Sequence, residues 1–188
     1  MTDTVQTAPP KSTPLVLVPG PGRYDASEIA RFIRAHATVT SALERWCLLT
    51  GLGSAPIEAR VHESSVHEVG SVAEPLLDLA TGLSLEPGTR VVCRKVALIC
   101  GPAVLMEATN WYIPDRLPAD IALTLETTST PFGGAIEALG VRRIEVRDIA
   151  AQTGELFAQQ AIVCDRGGNR LAFVVERFLP ALLARHAA

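Results

Sequence analysis

The chain has 188 residues, 48% of them hydrophobic and 20% charged, with a formal net charge of −3. That length and balance fit one globular domain with a substantial core. No broad basic field is present to draw a polyanion, which argues against a nucleic-acid or anionic-membrane partner, and no uninterrupted apolar run reaches a membrane span.

Residues 1–14 are Thr- and Pro-rich without an apolar signal core, so a disordered N-terminal tail is expected ahead of a single domain over 15–188, in a cytoplasmic protein. Leu15-Val16-Leu17-Val18 is a short apolar run stopped by Pro19-Gly20-Pro21-Gly22. It lacks GxGxxG and Gly-Lys-Ser/Thr, and its prolines remove amide donors, so it reads as a turn and not a phosphate cradle. From Asp25 the pattern becomes helical: Asp25 or Ser27 can cap, and Ile29, Phe32, Ile33 and His36 follow at three- and four-residue spacings. A break at Ala37-Thr38, with Thr40 as a candidate cap, precedes a second helix over Val39 to Leu49, closed by Gly51.

Ile57 to Glu68 reads as a strand, followed by a poorly defined stretch through Leu85 and a turn at Glu86-Pro87-Gly88-Thr89. The second half is mainly strands: Arg90 to Cys100, Val104 to Ile113, Val141 to Ile149, Leu156 to Asp165 and Leu171 to Leu179. Between the second and third of these, Pro114 to Pro118 leads into a helix through about Leu125, and the loop Thr130-Pro131-Phe132-Gly133-Gly134 leads into a short helix, Ala135 to Leu139. Consecutive strands joined by turns imply an α+β fold, a single antiparallel sheet of about six strands with helices packed over one face.

The common chemical motifs are missing. Cys47, Cys93, Cys100 and Cys164 are scattered without close pairs, which suits small core residues and no zinc or redox motif. His62 and His67 are five residues apart, where a zincin helix needs four, so no metal site is expected.

Two ionisable groups stand out against apolar strand faces. Glu176 shares a face with Ala172, Val174 and Phe178, and Arg94 shares one with Val92, Val96, Leu98 and Cys100. A buried carboxylate needs a cation, a proton or a polar ligand, and an arginine can supply the cation. The pair reads either as a site for an anionic ligand, in an apolar cavity sized for one aromatic ring, or as a salt bridge between strands. Lys95, on the opposite strand face, reads as a surface charge, and Arg142-Arg143 as a strand-end charge pair.

Four short motifs in this order resemble the chorismate pyruvate-lyase family, whose members make 4-hydroxybenzoate from chorismate. They are Cys93-Arg94-Lys95-Val96-Ala97-Leu98 with Trp111-Tyr112-Ile113-Pro114, then Thr130-Pro131-Phe132-Gly133, then Glu176-Arg177-Phe178-Leu179-Pro180, and a weaker point at Thr38-Val39-Thr40. The resemblance spans about Asp25 to Pro180. It implies one antiparallel sheet with the site beneath helices, a carboxylate-binding role for Arg94, an active-site role for Glu176 as base or hydroxyl holder, and pocket groups from Val39, Thr40, Phe132 and Gly133. It implies no cofactor and no metal. The chain departs from the family at Gln159-Gln160, where basic residues are common, and at Thr109-Asn110, where some relatives are charged.

The expected function is therefore elimination of pyruvate from chorismate, feeding an aromatic-acid or ubiquinone pathway, in a protein for which nothing suggests a dimer seam. Two alternatives stay open: a non-catalytic small-aromatic-acid binding domain of the same fold, and a related enzyme giving another hydroxybenzoate. Regulators with such domains carry a helix-turn-helix ahead of them, and the roughly two dozen residues before Asp25 are too few and too polar for one, so a free-standing binder is the form expected of the first alternative.

Overall fold

The computed structural model describes residues 24–69 and 82–183. The expectations for the 1–14 tail and for the Leu15–Val18 run with its turn lie outside the described residues. Helix α1 (Ala26–Arg34) starts from a capping box in which Asp25 accepts from the Glu28 amide and the Glu28 side chain accepts from the Asp25 amide. Helix α2 (Val39–Thr50) is capped by Thr38, whose hydroxyl accepts from the Ser41 amide, and ends at Gly51 in the left-handed region at φ 69°. The cap is thus Thr38 and not Thr40, which sits in the first turn.

Six strands form one antiparallel sheet: β1 (Glu58–Glu68), β2 (Arg90–Cys100), β3 (Ala103–Tyr112), β4 (Arg142–Ile149), β5 (Phe157–Cys164) and β6 (Arg170–Phe178), in the order β1-β2-β3-β6-β5-β4. Two three-strand meanders therefore meet at the β3–β6 seam. The connection between them carries α3 (Ala119–Thr127) and α4 (Phe132–Ile136), the latter running into a 3₁₀ turn over Glu137–Leu139. Phe132 and Gly133 begin α4, although Gly133-Gly134 have poor helix propensity and read as loop; packing against α2 overrides propensity there.

Helices cover one face of the sheet in two groups. Helices α1 and α2 bury Ile29, Ile33, Leu43 and Trp46 against Val96, Leu98, Met106 and Phe178. Helices α3 and α4 bury Leu125, Phe132 and Ile136 against Val92, Tyr112, Ala172 and Val174. At one end of the opposite face, Leu83 packs on Val91, Ile162 and Cys164. The four cysteines are free and buried, and His62 and His67 lie on β1, not on a helix.

Where the helix groups meet, α4 approaches α2 closely. A Cβ built on Gly133 would lie 2.6 Å from Thr40 Oγ1, 3.1 Å from Thr38 Cβ and 3.3 Å from Thr40 Cβ. Thr40 is short and buried, so it has little freedom to yield. We expect Gly133→Ala to push α4 off α2 at a cost of about 1–3 kcal/mol in urea unfolding. Thr40→Ala in the same chain should recover part of that loss; an undiminished stability of Gly133→Ala alone contradicts this packing.

Candidate functional site

One cross-strand row runs over the whole sheet: Val61, Val96, Ala108, Glu176, Gln159 and Asp148 are successive partners from β1 to β4. Glu176 and Gln159 sit mid-row, beneath the seam between the helix groups. A cavity of about 40 Å³ lies above them, lined by Thr38, Val39 and Thr40 of the α1–α2 corner, Phe132, Gly133 and Ile136 of α4, and sheet residues including Asn110 and Val174.

Of the residues expected at a site, Glu176, Val39, Thr40, Phe132 and Gly133 line this one cavity. Arg94 does not. It is buried on the helix face, as its neighbours predict, but its Nη1 donates to the Thr130 carbonyl and its Nη2 to the Thr128 carbonyl, both at 2.9 Å. Its guanidinium fastens the segment between α3 and α4, so the expected facing of Arg94 and Glu176 across one cavity is corrected. The backbone alternation placed Arg94 on the right face, but a side chain this long reached a different partner.

The cation at Glu176 is Arg143. Its Nη1 lies 3.3 Å from Glu176 Oε2, with both side chains at least nine-tenths buried. Its Nη2 donates to the Ile33 carbonyl at the end of α1, at 2.7 Å. Its Nε is buried and has no hydrogen-bond partner among the described residues. Arg143 is therefore not a mere strand-end charge. A bulge in β4 explains its direction: the β4–β5 register shifts between Ile144 and Arg147, with Glu145 in the left-handed region at φ 51°. Arg143 and Asp148 are an odd number of residues apart, so an unbroken strand would turn them to opposite faces. The extra residue of the bulge puts both on the helix face. The trace in the sequence is a slip in apolar phase, because Val141 and Val146 pack into the same cluster despite their odd separation.

Gln159 completes the network. It is fully buried; its Nε2 donates to Glu176 Oε2 at 2.8 Å and its Oε1 accepts from Arg34 Nε at 3.3 Å. Arg34 in turn pairs with Asp148 at the protein surface. Read from sequence as the loss of a basic residue, Gln159 instead joins Glu176 to the end of α1. Both donors use Oε2, so Glu176 Oε1 takes no hydrogen bond from the described residues. Burial raises the Glu176 pKa above the usual carboxylate range, and the nearby Arg143 charge and the bonds from Gln159 and Arg143 offset that only in part. The cavity is thus lined by one cation whose Nε is buried without a partner among the described residues, one carboxyl whose Oε1 takes no hydrogen bond from them, and otherwise mainly apolar walls.

Its size corrects a further expectation. About 40 Å³ holds two or three waters, whereas an engineered apolar cavity that takes benzene measures about 150 Å³. An aromatic ring enters only if the α1–α2 corner or α4 shifts outward. Among the described residues no group of three His, Cys, Asp or Glu is placed to hold a metal ion, and no helix is long and apolar enough to cross a membrane.

No family model matches the chain. A stretch of 109 residues is 34% identical to protein y4mC of Sinorhizobium fredii, covering 58% of this chain and 44% of that protein, so the chain spans less than half the length of that relative. Among solved structures, PhnF from Mycobacterium smegmatis matches with a TM-score of 0.50 at 14% identity, over 80% of this chain and 83% of that one. The effector domain of the same protein gives 0.48 at 13% identity, over 66% and 82%. A GntR-family transcriptional regulator from Bacillus cereus gives 0.45 at 14% identity, over 71% and 99%. The match to PhnF is one of fold alone, an α+β domain that here has one six-stranded antiparallel sheet.

If Arg94 fastens the α3–α4 segment, Arg94→Ala leaves two carbonyls without their charged donor and opens a void. We expect a loss of about 3 kcal/mol in urea unfolding. Loss of ligand binding at unchanged stability would assign Arg94 to ligand and not to the fold.

Proposed function

We propose that this chain is a binding domain for a small organic acid, a compact apolar body bearing one carboxylate. The observation that carries the reading is the buried, unpartnered Nε of Arg143, set beside Glu176 in an otherwise mainly apolar cavity. A buried donor with no partner costs free energy, and a carboxylate oxygen is its natural acceptor. Mostly apolar walls with a few convergent polar groups are the usual make-up of a small-molecule site. Arg143 is the sole cation among the described residues lining the cavity, and it already faces Glu176. One added negative charge can be accommodated there far more readily than the two of chorismate. PhnF, whose fold the chain shares, contains a part described as an effector domain, which is in keeping with a binding role.

Elimination of pyruvate from chorismate is the second reading. It is favoured by the meeting of Glu176 with Val39, Thr40, Phe132 and Gly133 in one cavity, the set that the lyase resemblance implies apart from Arg94. In that case Arg143 would take the clamping role expected of Arg94, and Glu176 would accept the ring proton or hold the hydroxyl.

Thermal unfolding with acetate, benzoate, 4-hydroxybenzoate and chorismate, alongside assay of pyruvate release from chorismate, separates the readings. We expect at least one monocarboxylate to raise the melting temperature, reaching about 2.7 kcal/mol of stabilisation at a hundredfold excess over Kd, with no pyruvate formed. Pyruvate release with an aromatic product would select the lyase, or its variant if the product is not 4-hydroxybenzoate. No response to any of the four would contradict both.

A further inference from the structure

The organic-acid reading leaves open how a second carboxylate enters a cavity that already contains one. Two carboxylates sharing a single buried arginine repel each other, and the described residues lining the cavity offer no second cation to separate them. The groups facing Glu176 can be named from every side. From β4 comes Arg143, paired to Oε2; from β5 comes Gln159, which is neutral. Helix α1 contributes Arg34, held at one remove through Gln159 and already paired with Asp148. Across on β3 stand Ala108 and Asn110, while the α1–α2 corner and α4 present Thr38, Val39, Thr40, Phe132 and Gly133, none of them ionisable.

Resting on the organic-acid reading, we infer that the ligand carboxylate takes over Arg143 from Glu176 and that Glu176 takes a proton from solvent as it does so. The geometry makes the exchange short. Arg143 Nη1 holds Glu176 from one side at 3.3 Å, a long contact for a charged pair, while the buried Nε has no partner among the described residues. Once the outward shift that admits a ring uncovers Nε, a ligand oxygen there begins the transfer without first breaking the bond to Glu176. Once Arg143 is neutralised by the ligand, the remaining influences on Glu176 are burial and a neighbouring negative charge, and both favour its protonated form. A protonated Glu176 also becomes a hydrogen-bond donor, so the pair of acids can share a hydrogen bond where two carboxylates could not. The filled site then contains one cation and one anion, the same net charge as the empty one.

The direction of the pH effect follows. The complex binds a proton more tightly than the free protein, so affinity rises as pH falls through the window between the Glu176 pKa in the free protein and its higher value in the complex. Below that window Glu176 is protonated in both states and uptake ceases. The acid thus binds with a built-in preference for lower pH, even when the ligand itself stays ionised.

The test is isothermal titration calorimetry of the whole chain with benzoate, in buffers of different ionisation enthalpy, above the range in which benzoate protonates. Benzamide serves as the neutral isostere. We expect uptake approaching one proton per benzoate bound and an affinity that falls about tenfold per pH unit within the window. Binding of benzamide, where detected, should take up none. Benzoate binding with no proton uptake and a flat pH profile overturns the exchange while leaving the organic-acid reading intact. Absence of benzoate binding at every pH overturns the exchange together with that reading for aromatic acids. Glu176→Gln adds a second check on the origin of the proton: it should abolish uptake, and uptake persisting in that variant overturns the assignment to Glu176.

Discussion

Burial of Glu176 is the constraint around which the cavity side of this molecule is arranged. A carboxylate inside a sheet face must be compensated, and three elements outside its own strand meet that need. Strand β4 supplies Arg143, β5 supplies Gln159, and α1 supplies both the Ile33 carbonyl that steadies Arg143 and the Arg34 that steadies Gln159. The position of α1 on the sheet is therefore tied to the charge state of a single residue beneath it. An interior ion pair adds little net stability compared with a well-packed apolar replacement, but loss of one partner is costly. The pair beside an unpartnered Nε is what the proposed binding of an organic acid builds on.

The same arrangement connects occupancy to shape. The cavity is closed by the α1–α2 corner and by the start of α4, and it is smaller than a ring. The bond from Arg143 to the Ile33 carbonyl and that from Arg34 to Gln159 both end on groups that a ligand would disturb. If the proposed ligand enters, the α1–α2 corner or α4 must yield, which would couple occupancy to the position of a helix.

Much of the fold was legible because it depends on local pattern. Five of the six strands follow from apolar or alternating stretches bounded by turns, β1 being mostly polar and exposed, and the caps at Asp25 and Gly51 lie where the sequence places them. The acid of the site was legible as well, since Glu176 interrupts an apolar alternation. Its partner was not, for two physical reasons. Strand alternation tells which face a side chain leaves from, but a long arginine chooses among several acceptors on that face, and Arg94 found loop carbonyls. Arg143 is turned inward by a bulge, whose trace is the slipped phase between Val141 and Val146. Gln159 was visible only as a missing charge, because a neutral amide gains its role from the two charged neighbours that tertiary structure brings to it.

The central claim, that Arg143 and Glu176 compensate each other inside the sheet, is tested most directly by a double-mutant cycle. Arg143→Met, Glu176→Gln and the double variant would be compared by urea unfolding above neutral pH, where Glu176 is least able to escape its loss of partner by protonation. Each single change should cost about 3–5 kcal/mol, and the double variant should be less destabilised than the sum of the two by at least about 2 kcal/mol. Costs that add to within about 0.5 kcal/mol would mean that the two groups do not act on each other, and the account built on their pairing would fail.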